Sequence, residues 1–253
     1  MASIDKYTDT AAFAIIGHVD RSLNYEHMSN QDIAFERSHL NEQLSPERDC
    51  TSYEYYQKLI QGCYVYGRND VKTLAGVIIT LPHDTPQEYA GEFFRLSYEF
   101  LNERYCGQNA VVSCQVHNDE AVPHMHYLFV PVTRNTDKRG QSRYVERPAD
   151  GPDTRREVEK YPLKISASDV LTRQSYLTFH DDFQRFLNEH GCPGTVKSGV
   201  TAAQGRSMTV RELKRETPLE RHQREELIRR NSERPQERNR FGGYSEYDRD
   251  RRF

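Results

Sequence analysis

Short apolar runs separated by long polar stretches set the rhythm of this chain. The first run, Phe13-Ala14-Ile15-Ile16, reads as an early strand ending near Gly17-His18. Residues 19–52 are polar and assign to no element. Ser52 then opens a helix through Tyr53-Glu54-Tyr55-Tyr56-Gln57-Lys58-Leu59-Ile60. Leu74-Ala75-Gly76-Val77-Ile78-Ile79-Thr80-Leu81 reads as a buried strand closed by Pro82. Thr85 before Pro86 predicts a helix start, running to about Tyr105. Its apolar positions Tyr89, Phe93, Leu96, Phe100 and Leu101 recur at helical spacing, and Gly107 ends it. Two strands follow, Val111–Val116 and His124–Pro131, rich in β-branched and apolar residues.

Residues 134–162 form a long basic loop with Gly140, Pro148, Gly151, Pro152 and Pro162. Such a loop in a compact domain is a functional flap or is disordered. Ser168-Asp169 predicts the cap of a further helix over 169–190, with a stripe of Val170, Tyr176, Phe179, Phe183, Phe186 and Leu187, stopped by Gly191. Thr209-Val210-Arg211-Glu212-Leu213-Lys214 begins a shorter helical piece. From Thr217 the sequence is Arg-, Glu- and Gln-rich with almost no core-forming residues, which predicts an exposed helix over 217–230 and disorder over 231–253. The expected fold class is α+β: an antiparallel β-sheet with packed helices, covered mainly on one face. The expected domains are a catalytic one over residues 1–215 and a charged, helical to disordered tail over 216–253.

Composition narrows the picture. Hydrophobic residues make up 36% and charged residues 29%, polar for a globular chain, so part of it is expected to stay unpacked. No apolar run is long enough to span a bilayer, and the N-terminus lacks a signal-peptide core. The five cysteines are scattered, with no Cys-x-x-Cys, so neither a disulfide framework nor a zinc ribbon is indicated, and a reducing cytoplasm is the expected setting. Net charge is -3, yet it is unevenly placed: residues 1–133 carry 9 Lys+Arg against 18 Asp+Glu, and residues 134–253 carry 26 against 20. The basic half can face a polyanion while the whole chain stays acidic.

Candidate chemistry concentrates in His117-Asn118-Asp119-Glu120-Ala121-Val122-Pro123-His124-Met125-His126. Residues two apart in a strand share a face, so His124 and His126 project together. His117 ends the preceding strand, and a hairpin brings it to the pair. Three imidazoles can hold a divalent metal and leave positions open, as a catalytic site requires. Glu120 can orient a ligand, bind metal or move a proton, whereas Asp119 reads as a turn former. A phosphodiester would complete the coordination. The attacking group is open at this point: water, His18 in Gly17-His18-Val19-Asp20-Arg21, or one of Tyr25, Tyr53, Tyr55 and Tyr56, each of which is better explained by packing.

His117-x-Asp119-Glu120-x-x-Pro123-His124-x-His126, followed by Pro131, resembles the metal motif of the Mob/Pre family, the MobV-type plasmid mobilisation relaxases or plasmid recombination enzymes within the HUH endonucleases. A second match lies upstream: His18-x-x-Arg21, Asn30-x-Asp32-Ile33 and Arg37-Ser38-His39-Leu40-Asn41. A looser one runs from His190-Gly191 through Thr209-Val210-x-Glu212-Leu213-Lys214.

The resemblance implies His117, His124 and His126 as ligands of Mn²⁺ or Mg²⁺, with Glu120 behind them or handling protons. It implies His18 as a nucleophile that forms a phosphoramidate with the DNA 5′ end. Arg21 would grip a phosphate through its fork, and His39 and Asn41 would line the site or bind DNA. Some relatives carry tyrosine directly after the Leu-Asn; here that position is Glu42, which favours His18. The implied partner is plasmid transfer-origin DNA, single-stranded or hairpin near the nick. Its candidate contacts are Arg134, Lys138, Arg139, Arg143, Arg155 and Arg156, with Tyr144 and Tyr161 for bases. A conjugative coupling protein and a second copy of the chain are further candidate partners. Relatives often continue into a long C-terminal region for dimerisation or membrane association, and this chain stops soon after the catalytic part, which argues against those roles. The alternatives are a rolling-circle replication initiator with a tyrosine nucleophile, a non-catalytic origin-binding regulator and, disfavoured by the basic loop, a small-molecule metallohydrolase.

Overall fold

Ala2–Thr8 (β1) alternates weakly, with Asp5 and Lys6 in its middle, because it is an edge strand with one paired side. Asp9–Val19 (α1) follows directly, its acidic Asp9 in the first turn. The computed structural model describes residues 2–23, 33–136, 161–196, 215 and 217–232. The apolar run at 13–16 therefore lies in a helix, contrary to the expected strand. Four apolar residues do not define a period, and only the wider Asp9–Val19 window buries Ala12, Ile16 and Val19 on one side.

The remaining elements are Glu42–Gln43 (β2), Ser52–Gln61 (α2), Lys72–Thr80 (β3), Ala90–Arg104 (α3), Val111–His117 (β4), His124–Phe129 (β5), Val132–Arg134 (β6), Leu163–Ile165 (β7), Ala167–Val170 (α4), Arg173–Glu189 (α5) and Pro218–Ser232 (α6). A five-stranded antiparallel sheet runs in the order β1-β3-β5-β4-β2, and β6 pairs with β7 in a separate ribbon. Residues 137–160 of the basic loop lie outside the described residues, and β6 and β7 flank them. The expected helical piece at 209–214 and the tail beyond 232 also lie outside them.

Both faces of the sheet are covered, which corrects the expectation of one. Ala75, Val77, Ile79, Val116, Met125, Tyr127 and Phe129 face α3 and α5, where Phe93, Phe100, Phe179 and Phe183 pack ring to ring. Leu74, Val112 and Leu128 face α1 and α2 through Ala12, Ile16, Val19 and Tyr56. The second layer follows from the first correction, since the supposed strand is the covering helix.

Helix ends show where local chemistry acts. Thr51 and Glu54 form a capping box at α2, satisfying two free N–H groups reciprocally. α5 starts at Arg173, where the Thr172 side chain accepts from the Ser175 N–H, not at Ser168-Asp169; those two belong to the short α4, and Val170 leaves the predicted stripe. Thr85 does not cap α3: its hydroxyl is buried without a partner, and a 3-10 turn over Gln87–Tyr89 leads in. Gly191 follows the end of α5 at φ 69°, and Gly107, at φ 71°, leads from α3 into the next turn; both are backbone conformations that favour glycine.

Two units divide the chain, Met1–Lys197 with the sheet and Ser198–Phe253 with α6. α6 is polar and solvent-exposed, as the composition predicts, with Leu219 66% exposed.

Candidate metal and nucleophile site

β4 and β5 pair with His117 opposite His124, so both strands of the hairpin deliver imidazoles to one point. The pleat turns Ser113, Gln115, His117, His124 and His126 to the α1 side, while Val116 and Met125 enter the core behind. His124 and His126 meet Nε2 to Nε2 at 3.0 Å. The His117 ring lies 5.3 Å from that of His124 and 4.7 Å from that of His126, centre to centre.

Each of two imidazoles is anchored by one nitrogen. His117 Nε2 donates to the Val19 carbonyl at 2.8 Å, and His124 Nδ1 donates to the Val122 carbonyl at 2.8 Å. That fixes both tautomers and turns one lone pair of each ring inward, the second-sphere arrangement typical of metal-bound histidine. Two Nε2 atoms 3.0 Å apart need a shared proton or cation between them. Glu120 completes the set: His117 Nδ1 and His124 Nε2 lie 3.8 and 4.0 Å from its Oε1. Two overlapping groups, His117–Glu120–His124 and His18–His117–His126, each bring three ligand atoms within 4.8 Å of one another, so the cluster can hold a divalent metal and His18 stands within ligand distance of it. Burial foremost, then the Arg21 charge, lowers His117 to about 4. Burial and the neighbouring imidazoles push His126 well down.

His18 comes from the last turn of α1, its ring centre 5.6 Å from His126 and 6.0 Å from His117. Burial first, then the Arg21 charge, lowers its pKa, with Glu120 opposing. Of the candidate tyrosines, Tyr56 is buried and hydrogen-bonded to Asp9 and Thr73, and Tyr55 donates to the Asn109 carbonyl. Tyr53 stacks on Tyr56, and Tyr25 lies outside the described residues.

Arg21 follows the helix end at φ 53°, a left-handed conformation that a side chain adopts at a cost of about 1–2 kcal/mol. The turn aims the guanidinium into the hairpin. Nε and Nη2 grip Asp119 at 3.0 and 2.7 Å, Nη2 also reaches Glu120 at 2.7 Å and His117 Nδ1 at 3.0 Å, and Nη1 holds the His18 carbonyl at 3.0 Å. The two Nη2 protons serve three acceptors, and His117 is the longest contact, the one most readily exchanged for a cation. The fork expected to grip a phosphate is thus committed to Asp119.

The segment Arg37-Ser38-His39-Leu40-Asn41 clasps the hairpin turn. Ser38 Oγ and Asn41 Nδ2 donate to Asp119 Oδ2 at 2.7 and 2.8 Å, Asn41 Oδ1 accepts from the Asn118 N–H at 2.7 Å, and Arg37 donates to the Asn118 carbonyl at 2.7 Å. Asn41 is a brace in this geometry. His39 is exposed, its ring bonded to the Glu36 carbonyl. Asp119, read from sequence as a turn former, is fully buried and joins all three segments. Burial alone would raise its pKa; Arg21, Ser38 and Asn41 reverse that and hold it well below the carboxylate range. Its signal in the sequence was its place between two histidines, which the turn reading hid. Of the expected DNA contacts, Arg134 is exposed on β6 and Tyr161 is described; Lys138, Arg139, Arg143, Arg155, Arg156 and Tyr144 lie outside the described residues.

A family model described as "Plasmid recombination enzyme" matches residues 1–150. A curated plasmid recombination enzyme of Streptococcus agalactiae is 26% identical over 199 residues, covering 76% of this chain and 34% of the relative. A type 3 plasmid recombination enzyme of Staphylococcus aureus is 27% identical over 202 residues, covering 76% of this chain and 40% of the relative. The chain thus spans well under half the length of these relatives. Among solved structures, the MobM relaxase domain bound to plasmid pMV158 oriT DNA, in Mn-bound form, aligns with a TM-score of 0.60 at 22% identity, over 85% of this chain and 97% of that one. That likeness establishes the fold.

Proposed function

The chain belongs to the plasmid recombination enzyme family, and on that premise we propose that it is a relaxase, with residues 1–215 as its catalytic domain. It nicks one DNA strand at a plasmid transfer origin, keeps the 5′ end covalently, and rejoins it. The carrying observation is the approach of His18, at the end of α1, to His126 on β5 and His117 on β4, with ring centres 5.6 and 6.0 Å away. A nucleophile beside a cluster that can hold a cation suits attack on a phosphodiester. The cleft beside His18 and His126 holds about 420 Å³ and opens along Tyr7 and Gly76.

His117, His124 and His126 hold the metal, with Glu120 beside them. When bound, Mn²⁺ supplies Lewis-acid stabilisation of the phosphate's developing charge. A ring nitrogen of His18 attacks phosphorus, the N–P bond forms, and the bond to the 3′ oxygen breaks. The proton the imidazole gives up balances the one the 3′ oxygen takes, and Glu120 carries it. Arg21 fixes Asp119, Glu120 and the end of α1 in one arrangement, a positioning role. The oriT DNA and Mn in the MobM structures support this choice of substrate and metal. Arg134 and the basic residues of the 137–160 segment would contact the DNA backbone, and a coupling protein would act in transfer.

The test is incubation with supercoiled plasmid carrying the cognate origin, with and without Mn²⁺, followed by mass spectrometry of the adduct. Metal-dependent nicking and a phosphoramidate on His18, both lost in His18→Ala, are expected. An adduct on tyrosine would instead indicate the replication-initiator chemistry, and origin binding without nicking would indicate a regulator.

A further inference from the structure

A larger cleft, of about 610 Å³, lies between α1, β2 and the start of α2, and the proposed chemistry does not use it. Such a volume falls in the range of small-molecule sites. Its outer wall is aromatic. Phe13 is 55% exposed, unusual for a phenylalanine on a helix that packs on a sheet, and meets Tyr53 edge to face at 5.1 Å.

The floor is amide. Gln43 and Gln115 stand opposite each other in the β2–β4 register. Gln43 Nε2 donates to the Ser45 carbonyl at 3.2 Å, and Gln115 Nε2 reaches Gln43 Oε1 only at 3.5 Å, the outer limit of a hydrogen bond, so Gln43 is held in place and the Gln115 carboxamide is the one left to read a base. The charges exclude a phosphate. Arg48, the single cation among the described lining residues, lies over the Tyr55 ring at 3.8 Å and donates to the Val111 and Val112 carbonyls. Asp20 and Glu47 add carboxylates to the lining. An aromatic wall for stacking, an amide offering donor and acceptor together, and carboxylates that accept from amino groups match a neutral heterocycle bearing an exocyclic amine.

We infer that this cleft is a base-binding subsite for one unpaired nucleotide of the strand engaged at His18, with adenine preferred over thymine. The inference rests on the proposed DNA-nicking function. Position supports it: Ile16, Gly17 and Asp20 line the cleft from the same helical turns that carry His18. A strand with its phosphate at His18 has a neighbouring nucleotide within reach around the end of the helix. Adenine offers the N6 donor and N7 acceptor that a glutamine amide reads in pairs.

The test uses the full chain with Mn²⁺ and fluorescein-labelled oligo(dA) and oligo(dT) of equal length, read by anisotropy. The wild type is expected to bind oligo(dA) roughly tenfold more tightly, the discrimination of one good bidentate contact. Phe13→Ala should weaken both oligonucleotides by about tenfold, through lost stacking. Gln115→Ala should erase the preference while keeping binding to oligo(dT). Phe13 is exposed, so its variant is expected to fold, and melting curves check both variants. Equal binding of both oligonucleotides by the wild type, or an unchanged preference in the Gln115 variant, overturns the subsite alone. Failure of the wild type to bind either oligonucleotide while it still nicks origin DNA overturns the subsite alone; loss of both oligonucleotide binding and origin nicking overturns the nicking function and the subsite with it.

Discussion

Arg21 grips Asp119 through two parallel contacts, Nη2 to Oδ1 at 2.7 Å and Nε to Oδ2 at 3.0 Å, across 98 residues of sequence. Asp119 is fully buried and the Arg21 side chain is 10% exposed. Removing one partner strands the other's charge. Asp119→Ala is therefore expected to destabilise the fold by about 3–5 kcal/mol in urea unfolding. Arg21→Lys should not restore stability, because an ammonium cannot make the planar double contact. A double-mutant cycle that found the two substitutions additive would refute the coupling.

The clasp formed by residues 37–41 makes a second prediction. Asn41→Ala frees the Asn118 N–H and removes one of the three donors to Asp119 Oδ2, and should cost about 1–3 kcal/mol. His39→Ala removes an exposed ring bonded only within its own turn, and should change stability by less than about 0.5 kcal/mol. Equal losses would mean that the hairpin turn is not what the motif holds.

Metal capture gives a third. Mn²⁺ at one hundred times its dissociation constant should raise the unfolding free energy by about 2.7 kcal/mol. EDTA should reverse the gain, and His124→Ala or His126→Ala should abolish it. Calorimetric titration of the same variants separates lost affinity from a damaged fold. Mn²⁺ stabilisation undiminished in both would place the ion elsewhere.

Helix α5 supplies a fourth, at its corrected start. Thr172→Ala should cost about 1 kcal/mol through the lost cap, and Ser168→Ala close to nothing. The reverse order in thermal denaturation would restore the start expected from sequence.

Acid sensitivity is expected at the α3–α5 contact. Hydrogen bonding from Thr178, then Arg104, holds the Asp182 carboxyl below its usual value. A depressed folded pKa adds stability above the unfolded pKa, near 4, and that contribution is lost as pH falls through the lower folded value. Asp182 is 25% exposed, so solvent screening keeps the effect to about 0.5–1 kcal/mol. Asp182→Asn should therefore lose stability at pH 7 and converge with the wild type at pH 2.

The histidine hairpin was legible because alternation, β-branched flanks and the turn sequence agreed over a long window. Its surroundings were not. Phe13–Ile16 is too short for its period to separate strand from helix, so both β1 and the second layer were missed. Ser168-Asp169 and Thr85 each carry a capping side chain, yet Thr172 wins at α5 and Thr85 is buried against Gly194 instead. Asp119 was undervalued for a physical reason: its four donor contacts come from residues far away in sequence, which local turn chemistry cannot reveal.

The position of β5 in the sheet bears on how the protein breathes. Both of its edges are paired, to β3 and β4, and Met125, Tyr127 and Phe129 beneath the histidines are fully buried. Amide protons along this strand should exchange with deuterium among the slowest in the molecule, through global unfolding only. The cation cluster is thus anchored where local opening is rarest. A DNA strand bound as proposed would meet a floor that does not open locally.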